Sequence, residues 1–111
     1  MAGVLRSGMW TAGGPRGFDL EGMRIGADTT LILTDMEEGR GPKLHKHPYA
    51  EIWVIHAGAA RFTAGDETIE AGPGDIVHVE AGKPHKFVVT EGPAKMVCIH
   101  TAARFHTDWL E

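Results

Sequence analysis

Short apolar runs broken by glycine, proline and acidic residues set the pattern of this chain, and hardly any of them has a helical period. Thr29–Met36 reads TTLILTDM, a β-branched run that predicts a strand over residues 28–36. Further strands are predicted over 43–47, 51–56, 59–64, 68–71, 75–79, 85–90 and 96–101, and a weaker one between Phe18 and Ile25. The punctuation between them is turn chemistry: Glu37–Pro42, Pro48–Ala50, a hairpin turn at Ala57-Gly58, Gly65-Asp66, Gly72–Gly74, Glu80–Pro84 and a loop at Glu91–Pro93. About eight short strands at regular spacing predict an all-β sandwich or barrel. No stretch keeps a helical period beyond two turns, although the tail RFHTDWLE places Phe105, Trp109 and Leu110 roughly on one side of a single helical turn.

The most informative stretch is GRGPKLHKHPYAEIWVIHAG, residues 39–58. On a strand His45 and His47 point to one face, roughly 6–7 Å apart, so their imidazoles can converge on one metal ion. Glu51 has the same parity, but a straight strand would carry it about 13 Å further on. The chain must therefore turn at Pro48-Tyr49-Ala50 and bring Glu51 back on a neighbouring strand. A fourth candidate, His85, opens a strand after the Glu80–Pro84 turn. Burying a carboxylate and imidazoles is costly unless they are paired, and a metal ion pairs them all.

The spacing Gly39-x5-His45-x-His47-x3-Glu51-x6-Gly58, followed by Gly74-Asp75, Gly82 and then His85, resembles the two motifs of the cupin superfamily. The first motif fits at every defined position. The second carries Glu80 where the family usually has proline and Val89 where it usually has asparagine. The resemblance implies a small single-domain cupin: an all-β jelly-roll (double-stranded β-helix) barrel of antiparallel strands. It also implies one divalent transition metal (Fe, Mn, Ni, Co or Zn) held by His45, His47, Glu51 and His85. Residues 1–27 are then an N-terminal arm and first strand, 28–101 the barrel and 102–111 a tail, all one domain. Trp53 and Ile55 share the parity of Glu51, and Phe87 that of His85, so these three are expected to line an apolar pocket beside the metal.

Parity sorts the remaining histidines. His56 and His78 fall on the outward face, and His106 lies in the tail. His100 alternates with Met96 and Cys98, and the pattern leaves open which way that face looks. If inward, His100 is an acid or base beside the pocket. Cys98 is read as a small core residue.

Composition narrows the partners. With 111 residues, 11 basic and 15 acidic side chains and a net charge of −4, there is no basic block to meet nucleic acid or an anionic membrane. One cysteine excludes an intrachain disulfide. Neither a signal-like apolar run nor a span-length segment occurs in the sequence, so a cytoplasmic protein is expected. The N-terminal arm, with five glycines in its first 17 residues, carries Val4, Leu5, Met9 and Trp10, which need a surface to cover. Ile52, Val54 and Ile76 fall on the outer sheet face, so a homodimer is expected.

Three neutral imidazoles and one carboxylate leave a divalent ion with one net positive charge. An octahedral ion keeps two open positions, whereas a tetrahedral zinc is saturated by the same four. Open positions suit catalysis, and the resemblance to single-domain cupins with this ligand set implies a dioxygenase acting on a small bidentate substrate, with Glu51 as the catalytic carboxylate that sets the charge of the ion. A metal-dependent isomerase, epimerase or lyase and a non-catalytic small-molecule-binding module are the alternatives.

Overall fold

A computed structural model describes residues 2–111. Eight strands form one curled, mostly antiparallel sheet: β1 (Gly17–Leu20), β2 (Thr30–Met36), β3 (His45–Lys46), β4 (Glu51–Ala64), β5 (Glu67–Ala71), β6 (Ile76–Val79), β7 (His85–His100) and β8 (Asp108–Trp109). One path runs β1-β2-β7-β3-β8, and β4 pairs with β5, β6 and β7. This is the expected all-β jelly roll. Among the described residues no helix is long and apolar enough to cross a membrane.

Several boundaries differ from the sequence reading, and the differences build the barrel. Ala57-Gly58 does not turn a hairpin. β4 runs straight through it for 14 residues, and β7 runs for 16 through Glu91-Gly92-Pro93, which the sequence marks as a loop. The two strands pair along their length, with irregular register between Ile55/Ala57, Ala57/Ala59 and Ala59/Ala60. Both bend there together. Gly58 makes the bend possible: its φ is 76°, and a Cβ would lie 2.6 Å from the carbonyl oxygens of Glu91 and Pro93.

The bend also resets the side-chain parity, as an extra residue in one strand does. Along β4 the buried positions are 51, 53 and 55 before the bend, and 60, 62 and 64 after it. Along β7 they are 85, 87 and 89, then 94, 96, 98 and 100. Residues that a regular strand would send to opposite faces thus share the interior. Trp53, Phe62 and Phe87 meet there, with ring centroids 4.9–6.0 Å apart. Fully burying a side chain of this kind contributes roughly 1.5–3 kcal/mol, so this cluster is the main anchor under the functional end of the barrel.

Outside it, Ile52 and Val54 are half-buried and Ile76 is exposed. His56 and His78 are exposed, as their parity predicts. In the arm, Met9 is buried and Trp10 packs flat on His56, 5.1 Å between centroids, and donates Nε1–H to the Thr34 carbonyl at 3.0 Å. The segment after β1 is a 3-10 turn over Gly22–Ile25 rather than a continued strand. The tail forms no helical turn either. It lies extended, with β8 paired to β3 through His45↔Trp109 and Lys46↔Asp108. The open edge of β3 gives Asp108–Leu110 ladder partners, and that outweighs a single unsupported helical turn.

Candidate metal centre

β7 brings the site together. Its first residue, His85, pairs with His45 of β3, and its last, His100, pairs with Glu51 of β4. A straight strand would hold those ends about 50 Å apart. The bend folds them into one pocket. The expected neighbour relation between β3 and β4 is therefore not what delivers Glu51: the two strands are joined through β7, which serves as neighbour to both. Hydrogen bonds from Gly82 N–H to the His47 carbonyl (2.8 Å) and from Thr101 N–H to the Ala50 carbonyl (3.1 Å) tie down the connecting turns.

His45, His47, Glu51 and His85 all come together, and all are buried. The ligand atoms of His45, His47 and His85 lie within 4.8 Å of one another, and so do those of His47, Glu51 and His100. The Glu51 carboxylate is ringed by imidazole Nε2 atoms: His85 at 2.7 Å from Oε1, and His100 at 3.0 Å and His47 at 3.3 Å from Oε2. Trp53 donates Nε1–H to Oε1 at 3.0 Å, so this residue does more than wall the pocket. Cys98, fully buried as expected of a core residue, sets its Sγ 3.8 Å from Oε2.

The backbone decides which imidazole nitrogen faces inward. His45 Nδ1 lies 2.7 Å from the Lys43 carbonyl, His85 Nδ1 2.8 Å from that of Lys83, and His47 Nδ1 2.8 Å from that of His106. A carbonyl only accepts, so each Nδ1 carries hydrogen and each Nε2 presents a lone pair to the centre. For His85 that lone pair faces a carboxylate oxygen at 2.7 Å without hydrogen-bond geometry, leaving Nε2 a buried polar atom with no partner. Two lone pairs do not tolerate that approach, and either a proton on Nε2 or a cation shared by both atoms relieves it. The donor set, imidazole nitrogens and one carboxylate in overlapping groups whose atoms lie within 4.8 Å of one another, fits a divalent transition metal.

The charges agree. Burial opposes ionisation of Glu51, but the surrounding imidazoles of His100, His47 and His85 outweigh it and hold the carboxyl well below the usual carboxylate range. Burial also works against the charged form of His85, yet the adjacent Glu51 carboxylate raises its pKa. His45 is lowered, mainly by burial. Burial pushes the Cys98 thiol up, with Glu51 adding to it, so it is no nucleophile.

The donors open onto a cavity of about 630 Å³ walled by Ile32, Trp53, Phe87 and Trp109. Ile55 does not line it. That residue lies one step nearer the bend, opposite Met96, and belongs to the hydrophobic core. Arg61 is exposed and pairs with Glu70, away from the pocket. Arg16 and Arg40 reach the cavity mouth from loops, where parity says nothing. Tyr49 and His100 are the functional side chains that the sequence reading did not place. Tyr49 Oη lies 2.8 Å from His100 Nδ1. The tail contributes as well: the His106 side chain is exposed as expected, but its carbonyl holds His47.

Solved structures of the same shape surround this chain. It superposes on oxalate decarboxylase from Bacillus subtilis with a TM-score of 0.76 at 23% identity, covering 85% of this chain and 27% of that one. The Mn(II) centres of that enzyme are described in a further structure of it. DMSP lyase DddQ from Ruegeria pomeroyi DSS-3 matches at a TM-score of 0.67 and 26% identity, over 75% of this chain and 43% of that one. KdgF from Halomonas sp. matches at 0.65 and 19%, over 70% and 72%. The chain thus spans less than a third of the decarboxylase and less than half of the lyase. Comparison with curated proteins finds no match. The cupin domain profile matches residues 32–100, more than half of the sequence and all of its candidate metal ligands, and the chain belongs to that family.

Proposed function

We propose that the protein is a metal-dependent enzyme that binds a small organic substrate through two donor atoms, and that the reaction is an oxygenation. The observation that carries this reading is the junction of a buried three-histidine, one-carboxylate cluster with a mostly apolar cavity. Such a cavity takes a small substrate and sheds its water, which strengthens electrostatic interactions inside. His45, His47, His85 and Glu51 would hold the ion, which when bound would supply Lewis acidity and, as Fe or Mn, access to one-electron chemistry with O₂. Trp53 steadies the carboxylate through its indole N–H, and Trp53 and Phe87 keep bulk water from the reacting face. Candidate substrates are small diketones, diols and thiols; at the cavity wall Arg16 is paired with Glu37, and Arg40 lies beside them.

A second reading, a metal-assisted lyase or isomerase, is favoured by the Tyr49–His100 pair beside the cluster, since such reactions need a group that moves a proton. The likeness to DMSP lyase at 26% identity supports it. Protein reconstituted anaerobically with Fe²⁺, Mn²⁺, Ni²⁺ or Co²⁺ separates the readings. Oxygen uptake in step with substrate loss supports the oxygenase, and product formed equally well without oxygen supports the second reading. Tight binding with no turnover of any substrate rejects both and leaves a binding module.

We also propose that the outer face around Ile52, Val54 and Ile76 pairs two chains about a two-fold axis. Light scattering should then give twice the 12.0 kDa chain mass at micromolar concentration, and a 12.0 kDa species rejects the dimer.

A further inference from the structure

We propose that His100 is a positioning residue rather than a metal ligand: Tyr49 holds it in the tautomer opposite to that of the three ligand histidines, so that it donates a hydrogen bond to Glu51. This rests on the reading that the cluster holds a metal, and it settles which of two overlapping sets, His45–His47–His85 with Glu51 or His47–Glu51–His100, takes the ion.

The difference lies in what faces each Nδ1. Carbonyl oxygens face those of His45, His47 and His85 and force hydrogen onto Nδ1; the Thr107 hydroxyl also lies 3.3 Å from His47 Nδ1, but the nearer His106 carbonyl decides that tautomer. The Nδ1 of His100 instead meets the Tyr49 hydroxyl at 2.8 Å. That hydroxyl already accepts the backbone N–H of His106 at 3.3 Å. Tyr49 is buried, and among the described residues its hydroxyl has no other acceptor. Its proton therefore goes to His100 Nδ1. The imidazole hydrogen is left on Nε2, 3.0 Å from Glu51 Oε2, as a donor.

The reverse assignment fails on two counts. It would strand the Tyr49 proton, and it would turn a nitrogen lone pair toward a carboxylate. Leaving a buried hydroxyl proton without an acceptor forfeits its hydration with nothing in return. Packing holds the arrangement: Tyr49 stacks on His47 at 5.0 Å and 11°, and the ring of Phe105 meets His100 edge-on at 5.6 Å. Glu51 consequently has an N–H donor on each oxygen, Trp53 on Oε1 and His100 on Oε2, with the weaker Cys98 thiol also on Oε2, and these fix the plane of the carboxylate. One tail residue sets both tautomers, since the carbonyl of His106 orients His47 while its N–H, through Tyr49, orients His100.

Long-range proton–nitrogen correlation spectra of ¹⁵N-labelled protein read this directly. In the Zn²⁺-loaded protein, His45, His47 and His85 should carry hydrogen on Nδ1, and His100 on Nε2. A metal-bound, unprotonated Nε2 on His100 overturns the proposal. Two substitutions then separate donor from ligand by titration with Mn²⁺ and Co²⁺. His100→Gln keeps an N–H donor and should stay within about threefold of the parent affinity, while His100→Leu should lose roughly 10–100-fold, as loss of a ligand's outer partner does. Gln falling as far as Leu, or Leu losing nothing, rejects the role. Tyr49→Phe should shift His100 toward the Nδ1–H tautomer, and an unchanged tautomer also counts against the relay. Should the parent protein bind no metal at all, the metal reading fails, and the tautomer of His100 in the free protein still tests the relay.

Discussion

Purified protein is expected to carry close to one transition-metal ion per chain, and His47→Ala to lose most of it. His47 belongs to both overlapping donor sets, so no alternative arrangement of the remaining side chains replaces it. Removing even an outer partner of a ligand typically costs 10–100-fold in affinity, so loss of the ligand itself should exceed about 100-fold. Elemental analysis and titration of the reconstituted protein measure this. No metal in the parent, even after loading with Fe²⁺, Mn²⁺ and Ni²⁺, would refute the central reading. The affinity should also fall with acid, because the ion needs neutral imidazoles and protons compete for them. His85, its pKa raised by Glu51, gains its proton at a higher pH than a free imidazole near ~6.5, whereas His45, lowered by burial, gains it later. Loss of metal should therefore begin above pH ~6.5 with His85 and steepen below it. An affinity independent of pH between about 5 and 8 would mean that imidazoles are not the ligands.

The barrel, and the meeting of His45, His47, Glu51 and His85 in one place, were legible because they depend on local rules. Period-2 alternation put His45 and His47 on one face, turn residues located the breaks, and the two motifs added His85. What escaped the sequence was the effect of the breaks. Gly58 and the Glu91–Pro93 segment look like ends of strands, but they act as bends within β4 and β7 and shift the parity of all that follows. His85 and His100 are an odd number of residues apart, so a regular strand would put them on opposite faces. Both faces of the later half are apolar, with Val97 and Ile99 against Met96 and Cys98, so hydrophobicity alone cannot reveal the shift. Tyr49 sits inside what reads as a turn, and its role comes from a hydroxyl contact 51 residues away in sequence. The tail was misread as a helical turn because its partner, the edge of β3, is a two-residue strand with almost no signal of its own.

Replacing Glu51 by Gln should separate a catalytic ion from a structural one. Glu51 is the only anionic ligand, so the change raises the net charge of the loaded site by one and alters both Lewis acidity and reduction potential. The shape is kept, but the hydrogen bonding is not. Both carboxylate oxygens accept from N–H donors, Trp53 on one and, in the relay described above, His100 on the other. A Gln amide can satisfy one of them and must turn its own N–H₂ toward the other. Some loss of metal affinity is therefore expected, and the comparison has to be made per bound ion. If the ion is catalytic, turnover per bound metal should fall by about 10–100-fold. The melting temperature of the loaded protein should move by no more than about 4–8 °C, the equivalent of ~1 kcal/mol in a domain near this size. If the ion is structural, its binding energy is folding energy, and the melting temperature should collapse while activity per bound ion stays the same. We expect the first outcome, because the cluster opens onto a substrate-sized cavity, and a closed structural site has no use for one. Melting and turnover measured on one metal-loaded sample decide it, and a large loss of melting temperature with unchanged turnover per ion would make the site structural.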